Sequence, residues 1–201
     1  MRHSVVDAIR RALMQGRFQP GEPLSDVAIA AEMGISRGPV REALLVLAEE
    51  GLVVHLQNRG FSVLQFTKDD AREVQQVRLP LETLALALAS KHVKADDVRK
   101  LEQLAGSICT GFERKEVVEA TRCDHEFHGL IWELSGNSRL VASLRTLTAP
   151  YFAYGSAFQL GRPDLCTELL RQQHDMYLEF LRGNPEHTAA ECVRFHIYQW
   201  E

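Results

Sequence analysis

The stretch from Gly34 to Gly51 constrains the fold of this chain more than any other, because it holds a complete helix with its own start and stop. Ser36 stands where an N-cap belongs. Val40, Ala43, Leu44 and Leu47 then recur at i, i+3, i+4 and i+7, lining one helical face until Gly51 ends the run. Just upstream, Ser25 caps a shorter helix through Val27, Ala28 and Ala31 that breaks at Gly34. Two helices joined by a tight glycine turn are the outline of a helix-turn-helix. Val6, Ile9 and Leu13 mark a preceding helix, stopped by the segment from Phe18 to Pro23. After Gly51, the β-prone runs 52–56 and 61–66 flank Gln57-Asn58-Arg59-Gly60, which predicts a hairpin, the wing of the motif.

From Thr67 onward the period is helical to the end, and the polar run Thr67-Lys68-Asp69-Asp70 serves as linker and cap. Helices are predicted over 69–92, 95–114, 116–135, 138–157, 164–183 and 185–199, divided at glycine, proline and lysine breaks. The expected fold class is mainly α: a winged helix-turn-helix of three helices and a hairpin over residues 1–66, followed by an all-α bundle over 67–201.

Composition narrows the classes of function. Hydrophobic residues make up 45% and charged residues 25%, enough to bury two ordinary cores and too apolar for disorder. No apolar run is long enough to span a bilayer, and arginines interrupt the N-terminal stretch, so neither membrane insertion nor a secretory signal is expected and the cytoplasm is the expected compartment. Cys109, Cys123, Cys166 and Cys192 are widely spaced, which fits free thiols better than a disulfide framework or a zinc ribbon. The net charge is −4, so DNA binding must come from a few placed arginines and not from a basic coat.

Arg37 and Arg41 are such candidates. Their i, i+4 spacing puts them on one flank of the Ser36 helix, within about 40° of each other. A guanidinium fork can hold a phosphate or the O6 and N7 of guanine, although two arginines on a helix are by themselves more often simply solvated. The context decides. Gly16…Pro20-Gly21…Leu24, Met33-Gly-Ile-Ser-Arg-Gly-Pro-Val-Arg-Glu-Ala-Leu44, Leu47…Glu50-Gly51-Leu52-Val53 and Asn58-Arg59-Gly60…Val63 closely resemble the GntR family of bacterial regulators. The resemblance implies a homodimer on double-stranded operator DNA. Ser36, Arg37, Pro39 and Arg41 would sit on the helix entering the major groove, with Asn58, Arg59 and Gly60 at the wing tip in the minor groove. Many members carry arginine where this chain has Val27, so a contact would be missing and the operator would differ.

In the second domain, Asp124 and His128 share one stripe with Ile131, His174 lies between Leu170 and Leu178, and His196 follows Ala189, Cys192 and Val193. Four ionisable groups on apolar faces need partners, since an unsatisfied buried polar group costs about 1–3 kcal/mol. One histidine alone would be an ordinary hydrogen-bonded core residue. One carboxylate and three imidazoles together suit a divalent first-row cation, while mutual hydrogen bonding without metal stays open from spacing alone. His125 is an alternative ligand or a solvated histidine, and Cys192 reads as a buried apolar residue.

Residues 69–200 resemble the FCD effector domain of the FadR branch of GntR regulators. The resemblance rests on Arg78-x-x-x-Glu82, Asp124-x-x-x-His128, Ser135-Gly-Asn137, His174, Gly183-Asn184 and His196, and the six-helix count matches the shorter, VanR-like form. It implies a divalent metal on Asp124, His128, His174 and His196, zinc first with nickel or manganese as alternatives, and not the metal-free, acyl-CoA-binding version. A small organic acid often completes the coordination. Arg78, Glu82 and Asn137 are the candidate effector-binding residues. Arg78 would grip the acid's carboxylate, unless it forms only an exposed or intra-helix pair with Glu82. A metal-dependent hydrolase is the rival function, but His125-Glu126-Phe127-His128 spaces its histidines by three and not four and no other general base is evident. A regulator with a metal-free scaffold domain is the third reading.

Overall fold

In the computed structural model, residues 2–56, 59–160, 167–184 and 186–198 are described. The head comprises α1 (Arg2–Met14), β1 (Pro23–Leu24), α2 (Asp26–Met33), α3 (Arg37–Glu49), β2 (Val53–Leu56) and β3 (Gly60–Val63). The bundle comprises α4 (Lys68–Ala89), α5 (Ala95–Glu113), α6 (Val117–Leu134), α7 (Ser138–Leu160), α8 (Thr167–Leu181) and α9 (Ala189–Tyr198).

α2 and α3 begin and end on local chemistry. The Ser25 hydroxyl accepts the Ala28 N–H at 3.2 Å, and Gly34 closes α2 at φ 65°, a left-handed turn that glycine adopts without steric cost. Ser36 occupies the N-cap of α3, but its side chain makes no capping hydrogen bond, which leaves the hydroxyl exposed. At the other end Gly51, at φ 76°, lets the Leu52 N–H reach back to the Leu47 carbonyl at 2.9 Å. Val40, Ala43, Leu44 and Leu47 are fully buried in one apolar core with Val6, Ile9, Leu13, Phe61 and Val63.

Two expectations are corrected in the head. α1 ends at Met14, where the Arg17 N–H bonds back to the Ala12 carbonyl, before the proline segment expected to stop it. That segment instead supplies β1. The wing is a three-stranded antiparallel sheet in the order β1-β3-β2, with Leu24 opposite Phe61 and Val53 opposite Val63. Two residues were too short a run for periodicity to reveal.

The bundle follows the predicted sequence of helices, each end moved by no more than a few residues. The tip residues Gln57 and Asn58 lie outside the described residues, as do 161–166 and Cys166 with them. Thr67 and Asp70 form a reciprocal cap on α4: the Thr67 hydroxyl accepts the Asp70 N–H at 3.1 Å and the Asp70 carboxylate accepts the Thr67 N–H at 2.7 Å. α4 runs through the bundle against α6, α7, α8 and α9. Cys109, Cys123 and Cys192 are buried free thiols, and burial pushes Cys192 up to about 11. No helix among the described residues is long and apolar enough to cross a membrane.

Candidate functional site

Two sites emerge, one on the surface of the head and one inside the bundle. On the head, Arg37 and Arg41 project from α3 with more than half of each side chain exposed, and Asp26 of α2 sits between them. The Arg37 guanidinium donates to both Asp26 oxygens at 3.2 and 3.3 Å, and Arg41 lies 3.7 Å from the same carboxylate. Arg41 also lies over the Phe61 ring, with its central carbon 5.6 Å from the ring centre, which ties α3 to the wing. The forks are therefore aimed by neighbours while remaining in water. Asp26 escaped the sequence reading because its partners lie on the next helix. Ser36 and Arg59 are exposed, Pro39 and Gly60 are half-buried, and Asn58 lies outside the described residues.

In the bundle, α6, α8 and α9 bring Asp124, His128, His174 and His196 together. The Nε2 atoms of His128 and His196 stand 2.9 Å apart, His174 Nε2 is 3.1 Å from Asp124 Oδ1, and His128 Nε2 is 3.6 Å from that oxygen. Ligands held at 2.0–2.1 Å from one tetrahedral ion lie about 3.3 Å apart, a spacing these three contacts approach. The ligand atoms of His128, His174 and His196 all lie within 4.8 Å of one another, and Asp124 adjoins that group through His128 and His174. His128, His174 and His196 are buried; Asp124 keeps 17% of its side-chain exposure.

The hydrogen-bond logic points the same way. His174 Nδ1 faces the Leu170 carbonyl at 2.7 Å and its Nε2 faces Asp124 Oδ1 at 3.1 Å, so a ring carrying one proton satisfies only one of the two oxygens. The facing Nε2 atoms of His128 and His196 hold at most one proton between them, and neither ring has a hydrogen-bond partner for its Nδ1. Converging ligand atoms with too few protons to satisfy one another are what a cation can hold together. Burial is the main force holding His128 well below the ordinary histidine range and His196 down at about 3, so these rings stay neutral, as ligation requires. Burial alone would raise Asp124, but its hydrogen bond and charge interaction with His174 keep its carboxyl low and ionised.

Next to this cluster lies the Arg78–Glu82 pair of α4. Arg78 Nε donates to Glu82 Oε1 at 2.7 Å, so the intra-helix pair is present, but both residues are buried and it is not a surface pair. Burial opposes the guanidinium's charge, yet Glu82 holds it protonated; burial also pushes the Glu82 carboxyl up, and Arg78 draws it only part of the way back. Glu82 Oε2 lies 3.5 Å from His128 Nδ1 without a hydrogen bond between them, so the carboxylate adjoins the cluster. The rings of Tyr151 and Phe152 face the guanidinium at 5.2 and 5.1 Å, and one Arg78 nitrogen, Nη2, has no hydrogen-bond partner. No periodicity in α7 marks these two rings as partners of an arginine on α4.

Two other candidates take different places. Asn137 caps α7, its side-chain oxygen accepting the Leu140 N–H at 3.1 Å, so it is committed to the α6–α7 turn. His125 is neither a solvated residue nor a member of the cluster: it is half-buried, stacked on Phe152 at 4.8 Å, and lowered chiefly by burial. His125 directly follows Asp124 on α6, and one residue of helix turns it by about 100° onto another face.

Comparison with known proteins bears on both sites. Residues 2–63 match the family model for bacterial regulatory proteins of the gntR family, and residues 73–199 match the FCD domain. The chain is 31% identical over 136 residues to the HTH-type transcriptional regulator YdhC of Bacillus subtilis, covering 66% of this chain and 59% of that protein. It is 33% identical over 124 residues to an HTH-type transcriptional regulator from the TAR-I ttuE-ttuC' intergenic region of Agrobacterium vitis, covering 60% of this chain and 72% of that one. Its fold resembles that of the solved E. coli McbR/YncC, with a TM-score of 0.80 at 22% identity over 98% of this chain and 93% of the other.

Proposed function

Because this chain belongs to the GntR family of bacterial regulatory proteins and carries an FCD domain behind its winged head, we propose that it binds operator DNA as a homodimer and adjusts that binding to a small organic acid. The acid is held beside a divalent cation on Asp124, His128, His174 and His196. The family and its relatives are transcriptional regulators, which sets the hydrolase reading aside. Its place of action is the cytoplasm, where its DNA is.

The observation that carries the effector reading is the convergence of three buried imidazoles, with the part-exposed Asp124 carboxylate beside them, whose facing atoms have too few protons to satisfy one another. A bound cation, zinc first and nickel or manganese next, supplies positive charge and an open position for a carboxylate oxygen. Arg78, with its unpartnered Nη2, is the residue to grip the other end of the acid. Glu82 orients Arg78 and adjoins His128, and Asn137 is left to its cap. On the head, Arg37 and Arg41 present their forks to phosphates and base edges, with Ser36 and Pro39 at the start of the same helix and Arg59 and Gly60 at the wing.

The test has two parts. Purified protein is assayed for stoichiometric metal and for a melting-temperature rise on adding zinc, nickel or manganese. Its operator is selected from random duplexes and titrated in a sedimentation assay that also reads the dimer. Absence of metal together with an unmoved melting temperature would reduce the cluster to a polar core and leave a regulator with a metal-free scaffold.

A further inference from the structure

The head and the bundle touch at a point that involves both sites. A Cβ placed on Gly51 would lie 3.3 Å from Cγ and 3.7 Å from Cδ of Pro150, so the proline ring packs directly on the glycine backbone at the end of α3. Any larger residue at 51 would push the ring away, and the φ of 76° already favours glycine there. Pro150 lies inside α7 and has no amide N–H, which leaves the Thr146 carbonyl without its helical donor and makes this the easiest place for α7 to bend. The next two residues, Tyr151 and Phe152, are the ring pair facing the Arg78 guanidinium.

Three consecutive residues of α7 thus stand between Arg78 and the end of the helix that bears Arg37 and Arg41. From this juxtaposition we propose that the segment Pro150-Tyr151-Phe152 transmits the state of the Arg78 pocket to α3. The proposal rests on the effector reading above only for what fills the pocket.

Any occupant that draws on the free Nη2 of Arg78 shifts the guanidinium between its two rings, and the rings carry Pro150 with them because all three share one helical turn. The displacement does not dissipate in the head. Glu50, beside Gly51, is held by Arg10 of α1 through two hydrogen bonds of 2.9 Å, and α1 packs on both α3 and α7. α1 and α3 therefore receive the push together, and α3, a single uninterrupted helix, delivers it to Arg37 and Arg41. A ligand shifts such an equilibrium only by its differential contact with the two arrangements, and the stacked guanidinium is that contact.

Amide hydrogen exchange on the full chain tests this at residues 47–52, with the amides of α5 as reference. Three perturbations of the pocket are compared: zinc addition, Arg78→Met and the milder Phe152→Leu. Each is expected to change exchange at 47–52 severalfold beyond any change in α5, and Pro150→Ala in each background is expected to erase that excess. Phe152→Leu carries the test if Arg78→Met does not fold. A silent zinc arm with active Arg78→Met or Phe152→Leu arms would overturn the metal reading and leave the coupling standing. The proposal fails if the folded variants leave 47–52 unmoved, or if they move it equally well without Pro150.

Discussion

The head and the bundle treat charge in opposite ways. Among the described residues, every fully buried polar or charged side chain lies at Gln75 or beyond, while the core of the head is wholly apolar. Arg37 and Arg41 of the head keep more than half of their side-chain exposure, aimed by Asp26 and Phe61 without being withdrawn from solvent. Arg78 of the bundle does not: it is 1% exposed and its partner Glu82 2%. A surface that meets a polyanion needs charges that move and shed counterions, and these are inexpensive to keep ready. A pocket that recognises one small molecule needs fixed, dry groups, whose desolvation is offset only in part until a ligand arrives. The head should therefore be stable by itself, and the bundle should respond to whatever binds it.

The contrast breaks first, if it breaks, at Arg78. Arg78→Ala leaves Glu82 buried without its partner and is expected to destabilise the protein by about 3–5 kcal/mol in urea unfolding. The paired change Arg78→Met with Glu82→Leu should recover most of that loss. A single-variant effect below about 1 kcal/mol would mean that the bundle tolerates lost charge as readily as a surface does.

Metal should come next. Zinc at 100 times its dissociation constant adds about 2.7 kcal/mol to a protein that binds it only when folded. For a chain of this size that raises the melting temperature by roughly 5–10 °C, at about 2–4 °C per kcal/mol. His174→Ala should lose this rise, whereas Arg41→Ala should keep it; a rise retained in His174→Ala removes that residue from the ligand set.

Acid should weaken the metal-free protein through the same residues. His196 is held at about 3 when folded against an ordinary 6.5, mainly by burial, so its folded value lies below its unfolded one. The associated stability is complete above pH 6.5 and is lost as pH falls toward 3. Between pH 7 and pH 5 the loss from His196 is about 2 kcal/mol, at about 1.36 kcal/mol per unit below 6.5. His128, displaced in the same direction by burial and by its histidine and arginine neighbours, deepens the slope. Chemical denaturation across this range reads the slope, and a flat profile would show that the buried rings accept protons as freely as solvated ones.

The smallest effects belong to the head, and they concern binding. Arg37→Ala and Arg41→Ala should each weaken binding to the selected operator by roughly 1–3 kcal/mol if they read bases. Either should lower the salt dependence if it holds a phosphate, and neither should alter the zinc-induced rise in melting temperature. Unchanged DNA affinity in both would move the DNA-binding surface away from α3.

Much of this was legible because it is local. The α3 stripe, the Gly34 and Gly51 stops, the Thr67 cap and the i, i+4 relation of Asp124 to His128 all follow from the 3.6-residue period and from side chains that satisfy helix ends. The inward faces of α8 and α9 followed too, since His174 and His196 sit among leucines and small apolar residues that could only be core. Local reasoning failed where a short segment is recruited by distant partners, as β1 is by β3.

By itself, then, the amino-acid sequence determined the order of elements, the family resemblance and which face of each helix turns inward, because these depend on residues within a few turns of one another. Only the tertiary structure decided that Arg78 is enclosed by Tyr151 and Phe152, that His128 meets His196, and that Pro150 rests on Gly51. Those pairings join segments tens of residues apart, and nothing in local periodicity records which of several apolar faces will pack against which. The whole set of helices must close on a shared core before that choice is made.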